Sequence, residues 1–202
     1  MTQKRTYNSN IVGIDLAGVA HRPTGICLLK GLNAETAILF SDEEILSYIQ
    51  QTEPVLAAID APLTLPPGRK AIDEKGRFHF RPCDEELRRR KIPFFPITLG
   101  PMRSLTSRGI RLQSLISAEG VRVIEIYPGG AQDIWGIPRA KKSLRELRKG
   151  LSRLGIVGLK KESSAHELDA ASGAYVGYLF LQGKAEIYGH FSTGAIIMPR
   201  AR

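Results

Sequence analysis

Short apolar runs recur along the chain at 11–16, 24–30, 35–40, 55–59 and 121–127. Runs of this length that are rich in Ile, Val and Leu and end at turn residues predict β-strands. Only short turns separate the first three runs, which predicts an antiparallel meander. The run at 55–59 lacks polar alternation, as expected for a strand that is covered on both faces of a sheet.

Helix signals lie between and after these runs. A Ser-x-x-Glu capping box at 41–44 predicts a helix that ends before Pro54. A second capping box, at 164–167, predicts a helix that continues to about Leu181. Leucines on one side and basic residues on the other predict an amphipathic helix over 140–154.

Residues 61–120 differ from the rest of the chain because prolines interrupt them. Eight of the twelve prolines fall in or beside this segment, and proline breaks helices and central strands. Short helices are predicted within it at 84–91 and 105–118. We therefore expect a Pro-rich, basic, helical insertion between the fourth and fifth strands of a single domain that spans residues 1–202.

The predicted elements follow one another as three strands, a helix, a strand, the insertion, a strand and two helices. This order matches an α/β fold of the RNase H-like type, in which a five-stranded mixed sheet (order 3-2-1-4-5) carries helices on both faces. In α/β sheets, binding sites lie beyond the carboxyl ends of the strands. That rule points to Asp15 and Asp60, which lie at the ends of two apolar runs.

Both aspartates are preceded by small residues. Side chains alternate along a strand, so Asp15 shares a face with Gly13, and Asp60 shares a face with Ala58. The two carboxylates then converge above the sheet if their strands are neighbours. A buried carboxylate needs a partner, and Mg²⁺ or Mn²⁺ is a suitable one. The alternative is that each aspartate caps the turn after its strand.

A third acid, Asp169, lies in the first turns of the last predicted helix. His166 and Asp169 are three residues apart and share one helix face. Small residues let this helix approach the sheet; they are Ala170, Ala171, Gly173, Ala174 and Gly177. Three acids on three elements are the arrangement of two-metal phosphodiester cleavage, so we predict catalytic roles for the three aspartates and His166.

Five motifs resemble one known family. They are VGIDLAG (12–18), AAIDAPLTLP (57–66), RPCDEELRRRKIPFFP (81–96), VIEIYP (123–128) and HELDAASGAY (166–175). In this order they resemble domain-of-unknown-function family 429, whose members are described as predicted nucleases with an RNase H-like fold. The resemblance covers nearly the whole chain and implies the same fold and a nuclease activity.

The last motif is also similar to the end of the resolvase-type branch of the RNase H-like superfamily. This similarity implies that Asp15 bridges two metal ions and that Asp60 binds one of them. Asp169, together with His166, would complete the other. The chain departs from that branch at Asp60, where a glutamate is common, so the number of metal ions stays open.

Glu125 lies on the fifth predicted strand and shares its face with Val121, Val123 and Tyr127. Two interpretations are open. The carboxylate is either an additional ligand of the metal site or the buried partner of an arginine from the insertion, since structural ion pairs also bury acids.

Positive charge is concentrated in the middle of the chain. The net charge is +9, and residues 61–120 carry 12 basic and 6 acidic side chains, while residues 121–164 carry 10 and 4. Basic clusters often form only a solvated surface, but beside an acidic centre they attract phosphates. The residues predicted to contact nucleic acid, DNA or RNA, are Arg88, Arg89, Arg90, Lys91, Lys141, Lys142 and Arg145. Four aromatic side chains either stack bases or pack in the core; they are Phe78, Phe80, Phe94 and Phe95.

Cys27 and Cys83 lack metal-ligand spacing and are too few for a disulfide framework, which favours a cytoplasmic location. The polar first ten residues and the interrupted apolar runs predict neither a signal peptide nor a membrane span. A metal-dependent nuclease is the leading function. The alternatives are a non-catalytic nucleic-acid-binding or interaction module and a phosphotransferase related to actin-like ATPases, whose first phosphate loop the segment GIDLAG resembles.

Overall fold

The computed structural model describes residues 10–201, and within that range the centre of the protein is one mixed β-sheet of seven strands. The strands are β1 (Asn10–Asp15), β2 (Thr24–Lys30), β3 (Asn33–Leu39), β4 (Leu56–Ile59), β5 (Arg122–Ile126), β6 (Ala185–His190) and β7 (Gly194–Pro199). Their order across the sheet is β3-β2-β1-β4-β5-β7-β6. The absence of a signal peptide was inferred from residues that include 1–9, which lie outside the described residues.

Helices cover both faces of this sheet. They are α1 (Asp42–Thr52), α2 (Pro82–Arg89), α3 (Gly100–Ala118), α4 (Pro128–Trp135), α5 (Leu144–Arg153) and α6 (Ala165–Leu181). One core cluster joins the sheet to α4, α5 and α6, and a second joins its other face to α1 and α3. Within residues 10–201, none of the helices combines the length and the apolar character needed to cross a bilayer.

Strands β1, β2 and β3 form an antiparallel meander, as their short connecting turns predict. β1 then pairs in parallel with β4, and β4 pairs in parallel with β5. Parallel pairing requires a crossover connection, which α1 supplies between β3 and β4. The predicted α/β class is therefore confirmed.

The predicted count of five strands is wrong, because a C-terminal hairpin extends the sheet. β7 pairs in parallel with β5 at Glu125–Ile196 and Ile126–Ile197, and β6 pairs antiparallel with β7. Glycine and proline within or at the ends of these strands weaken the strand signal in the sequence. β7 is nevertheless buried along its whole length, so packing against the sheet compensates for its weak propensity.

Three helix starts differ from the predicted ones. α2 begins at Pro82 rather than at 84, because proline is well suited to the first turn of a helix. α3 begins at Gly100, ahead of the predicted start at 105, because Pro101 lies in its first turn, where a missing N–H costs nothing. α5 begins at Leu144 rather than at 140, because the Ser143 side chain accepts a hydrogen bond from the Glu146 N–H and so caps the helix there.

Helix α4 was not predicted. It begins with Pro128, Gly129 and Gly130, a combination that is typical of turns. A side chain at Gly130 would approach the Met198 Cε atom to 2.7 Å. The glycine is therefore explained by close packing against β7 and not by helix propensity.

The segment 61–120 contributes to the core as well as to the surface. Leu112 and Ile116 of α3 are fully buried and belong to the same cluster as Val12 and Ile59 of the sheet. At 25 cal/mol per Å² of buried apolar area, each such side chain contributes roughly 1.5–3 kcal/mol. This part of the segment therefore helps to hold the fold together.

Helix α6 lies unusually close to the sheet, as its small residues predict. A Cβ atom at Gly13 of β1 would lie 2.1 Å from the Ala170 carbonyl oxygen. One at Gly25 of β2 would lie 2.1 Å from the His166 carbonyl oxygen. Only glycine at both strand positions permits this distance, which brings the first turns of α6 to the end of β1.

We expect Gly13→Ala to lower the free energy of unfolding by about 3 kcal/mol, because the added methyl group overlaps the backbone of α6. Gly100→Ala is the control, since a Cβ atom there meets nothing within 4 Å and its effect should stay within about 1 kcal/mol. Urea denaturation at pH 7 measures both values. If Gly13→Ala changed the free energy of unfolding as little as Gly100→Ala does, the close approach of α6 to β1 would be contradicted.

Candidate active site

Asp15 and Asp60 lie side by side at the carboxyl ends of two neighbouring parallel strands. Ile14 of β1 is in register with Ile59 of β4, and the Asp60 N–H donates a 2.8 Å hydrogen bond to the Ile14 carbonyl oxygen. Because side chains alternate, both aspartates point to the face that α6 covers. The condition for convergence, that the two strands are neighbours, is met.

Helix α6 adds the third acid and the histidine to this edge of the sheet. The Nδ1 atom of His166 lies 2.6 Å from the Oδ2 atom of Asp15. Asp169 lies one turn further along and is close to both aspartates: the charge of Asp15 raises the pKa of Asp169, and the charge of Asp169 raises the pKa of Asp60. The structure therefore brings together the predicted residues Asp15, Asp60, Asp169 and His166, which we call the acidic centre.

Negative charge in the acidic centre is only partly compensated. Burial raises the pKa of Asp60 well above its usual range, and the charges of Asp15, Asp169 and Glu125 raise it further. Burial also raises the pKa of Asp169 to about 6. Within residues 10–201, no lysine or arginine forms an ion pair with any of the three aspartates, and His166 is their only such partner.

The negative charges of the acidic centre favour the protonated form of His166. Its hydrogen bond to Asp15 raises the pKa of the imidazole, and the negative charges of Asp15 and Asp169 act in the same direction. The side chain is 47% exposed. A histidine in this position can exchange protons with water while one ring nitrogen stays bound to Asp15.

The oxygen atoms of the acidic centre suit a hard divalent cation. In the described part of the chain, Asp15 uses only Oδ2 and Asp169 uses only Oδ1 in protein hydrogen bonds, and the Asp60 carboxylate uses neither oxygen. No group of three or more His, Cys, Asp or Glu side chains there is arranged so that it could hold a metal ion by itself. A cation would therefore be held by one or two carboxylates, with water and substrate completing its shell.

Glu125 forms a buried ion pair with an arginine from the segment 61–120, which confirms that interpretation. Arg81 Nη1 and Nη2 lie 2.7 and 2.8 Å from the two Glu125 oxygens. Arg81 also donates to Asp84 from Nε and Nη2. Burial alone would lower the pKa of Arg81, but Glu125 and Asp84 raise it, so the guanidinium stays charged. The Leu63 N–H donates a further bond to Glu125.

The direction of the Glu125 side chain explains why it is not a fourth free carboxylate. Its neighbours Val121 and Val123 pack against the α1–α3 face of the sheet, whereas Ile124 and Ile126 pack against α6. Glu125 thus leaves its strand on the opposite face from Asp60. With both oxygens bound to Arg81, it has little capacity left for a metal ion.

The basic cluster at the end of α2 is only partly available to a ligand. Arg88 and Arg89 pair with Glu85 and Glu86 on their own helix, but their side chains remain 62% and 74% exposed. Arg90 is held more firmly, by Glu86 and Glu186. Its guanidinium carbon also lies 4.3 Å from the centroid of the Tyr188 ring. We therefore assign Arg90 a structural role, in fastening α2 to β6; Lys91 is exposed beside it.

The second predicted cluster lies before and within α5. Lys141 and Lys142 are exposed in the turn that precedes the helix. Arg145 is 75% exposed and approaches Glu146 no closer than 3.8 Å. These three side chains keep their charges accessible to solvent and to polyanions.

Gln132 of α4 is a site residue that sequence reasoning missed. It is fully buried, and its Nε2 atom donates to Asp169 Oδ1 at 2.7 Å and to the Ser172 hydroxyl at 3.0 Å. The amide thereby fixes one oxygen of Asp169. No sequence signal pointed to it, because a glutamine in an unpredicted helix has no distinguishing spacing.

Arg108 of α3 is a second missed residue. It is 8% exposed and donates to the Ala17 carbonyl at 2.7 Å, to the Phe40 carbonyl at 2.6 Å and to Asp42 at 2.7 Å. The guanidinium thus holds the turn that follows Asp15 against α3. The Arg108 guanidinium and the Asp42 carboxylate are both buried, so Arg108 positions the site and does not offer its charge to a ligand.

The two cysteines take no part in the site. Cys27 and Cys83 are both buried and unpaired with each other. Burial raises the pKa of the Cys27 thiol to about 12 and raises the pKa of Cys83 as well. Neither thiol is therefore a ready nucleophile, because the thiolate is the reactive form.

No protein-family model matches the chain, and no curated protein is similar to it in sequence. The function must therefore be inferred from the chemistry of the acidic centre and of its surroundings.

Replacing Arg81 by methionine should lower the free energy of unfolding by about 3–5 kcal/mol, because two buried carboxylates lose their common partner. Arg88→Met is the matched control: the Arg88–Glu85 pair is exposed, so we expect a loss below about 1 kcal/mol. Urea denaturation of both variants at pH 7 provides the comparison. Equal losses would show that the buried ion pair does not matter to the fold.

Asp60→Asn should raise the melting temperature in the presence of a chelator at pH 7. A carboxyl whose pKa is raised in the folded state destabilises that state above the unfolded-state pKa, and the neutral amide removes this cost. The gain should disappear once the pH falls below the ordinary pKa of aspartate, where Asp60 is neutral in both states. Asp73→Asn, at a side chain that is 80% exposed, should leave the melting temperature unchanged. A lower melting temperature for Asp60→Asn would contradict the interpretation that the charge of Asp60 has no compensating partner.

Proposed function

We propose that the protein is a divalent-metal-dependent nuclease that hydrolyses phosphodiester bonds of DNA or RNA. One observation carries this proposal: three aspartates from β1, the end of β4 and α6 meet without a compensating lysine or arginine in the described residues. A protein that only needed stability would not retain such a cluster, because each unpaired buried acid costs free energy. Cation binding relieves that cost.

The architecture supports the proposal. Strand order β3-β2-β1-β4-β5, with a meander followed by two parallel strands, is the arrangement of an RNase H-like core. The five motifs that resemble family 429 contribute Asp15, Asp60, the Arg81–Glu125 pair and Asp169. All five motifs thus supply side chains that lie at or beside the same edge of the sheet, as expected for one active site.

One or two of the carboxylates of Asp15, Asp60 and Asp169 would hold each Mg²⁺ or Mn²⁺ ion, with water and substrate completing its shell. Bound there, such an ion would activate a water molecule and stabilise the leaving oxygen in phosphodiester hydrolysis. Asp15 is oriented by His166, which leaves its second oxygen free. Asp169 is oriented by Gln132 in the same way. These two carboxylates would thus enter the reaction with a fixed direction and with little reorganisation.

His166 is placed to handle protons at this site. Its Nδ1 atom is held by Asp15, while the half-exposed ring leaves Nε2 free of protein partners among the described residues. Proton transfer by a positioned imidazole contributes about 100- to 10,000-fold to rate. We assign His166 the transfer of a proton between the reacting oxygens and solvent.

Exposed basic side chains would counter the repulsion between phosphates and the acids. Lys141, Lys142, Arg145, Arg88 and Arg89 keep solvent-accessible charges. Contacts of this kind make binding salt-dependent and largely independent of sequence. They provide affinity, and the acidic centre provides chemistry.

Purified protein should cleave labelled nucleic acid in Mg²⁺ or Mn²⁺ and not in a chelator. Single-stranded, duplex and branched DNA and RNA should be compared. Asp15→Asn should slow cleavage roughly 1,000-fold, because the several kcal/mol contributed by the bound ion are lost. Its affinity for the same strands in chelator should not fall, since removing a negative charge does not weaken phosphate binding.

Asp73→Asn, which removes an equal charge at the surface, should cleave at the wild-type rate. Isothermal titration with Mn²⁺ provides an independent readout, and the heat of binding should vanish in Asp15→Asn. Binding of nucleic acid without metal-dependent cleavage of any substrate would replace the nuclease by a non-catalytic binding module. ATP turnover without cleavage would favour a phosphotransferase.

A further inference from the structure

A pocket of about 180 Å³ opens beside the acidic centre. The metal-dependent chemistry proposed above gives this pocket no role. Asp60 forms part of its wall, and most of the remaining wall is apolar, with Phe94, Phe95, Met102 and Tyr127 among the lining side chains. The pocket therefore places an apolar surface directly next to a proposed catalytic carboxylate.

The charged groups in the wall exclude an anionic ligand. Arg81, Asp84 and Glu125 all line the pocket, but the guanidinium is already bonded to both carboxylates. The carboxylate of Asp60 has no such partner and would repel a phosphate. What fits this wall is the neutral part of a molecule whose charged part lies outside.

The volume limits the ligand to about one base. A cavity of roughly 150 Å³ holds one benzene molecule, so a pocket of about 180 Å³ is of the size of a single aromatic base. Neither a stacked pair of bases nor a base pair fits. A base must leave its stack to enter, which is easiest in a single strand.

Phe94 and Phe95 are suited to hold a flat ring. Phe94 packs edge-to-face on Phe80 with ring centroids 6.0 Å apart, which fixes its position. Phe95 is 67% exposed, the largest exposed fraction among the large apolar side chains of the described residues. An aromatic ring exposed at the mouth of an apolar pocket is a suitable stacking surface for a base.

We propose that this pocket takes one unpaired base from the strand whose phosphodiester bond lies at the acidic centre. The inference rests on the proposed function, because it assumes a nucleic-acid ligand, and it specifies the substrate as single-stranded or locally unpaired. The base is held by stacking and apolar contact, so the pocket does not select a particular base.

The test measures binding in a chelator, where no cleavage is required. The probes are fluorescently labelled short strands of abasic sugar-phosphate, identical in length and charge, that carry one central thymine or no base. The thymine strand should bind about tenfold more tightly than the strand without a base, since this factor corresponds to about 1.4 kcal/mol, which lies within the range for one stacked base.

Phe95→Ala should abolish the preference for thymine and leave the affinity for the abasic strand unchanged. Phe191→Ala is the matched control, since Phe191 is 56% exposed but does not line the pocket, and it should retain the full preference. Met102→Trp, which fills the pocket without touching the acidic centre, should act like Phe95→Ala. Thermal melting verifies that each variant is folded.

The outcomes separate the two proposals. A thymine preference that depends on Phe95, in a protein that cleaves nothing, supports the pocket and overturns the nuclease. Metal-dependent cleavage with equal affinity for the thymine and abasic strands supports the nuclease and overturns the pocket. A preference for the thymine strand that is retained in both Phe95→Ala and Met102→Trp overturns the assignment of the pocket.

Discussion

The whole site depends on how closely helix α6 lies against the sheet. Gly13 and Gly25 have no side chains. The backbone of α6 can therefore lie 2.1 Å from the positions that Cβ atoms would take there, which is closer than any side chain permits. That approach places His166 within 2.6 Å of Asp15 and brings Asp169 into the field of the other two acids. With a larger residue on either strand, the carboxylates would lie on separate elements without a common centre.

Two sets of buried acids in this protein have opposite electrostatic states. Glu125 and Asp84 are saturated by Arg81, whose guanidinium donates to both. Such a pair is costly to desolvate but rigid once formed. Asp60, on the opposite face of the sheet from Glu125, has no cationic side chain bonded to it among the described residues. The contrast separates a structural ion pair from the site at which we propose that a cation binds, although both lie near the ends of neighbouring strands.

The C-terminal hairpin and α2 give the site its second wall. β7 extends the sheet beyond β5, and α2 packs on the hairpin through a small core that includes Cys83, Leu87 and Tyr188. This packing fixes Arg81 at the start of α2 and so closes one side of the pocket beside Asp60. The basic end of α2 is fastened to the same hairpin by Arg90. Scaffold and site are therefore built from the same contacts.

Local sequence determined much of this protein. Apolar runs, capping boxes and strand alternation predicted the first five strands, the start of α6, and the faces on which Asp15 and Asp60 lie, because these features depend on neighbours within a few residues. Tertiary structure alone decided the rest. The partner of Glu125, the role of Gln132, the hairpin that extends the sheet and the pocket all arise from contacts between residues far apart in the chain, and no local pattern encodes such distances.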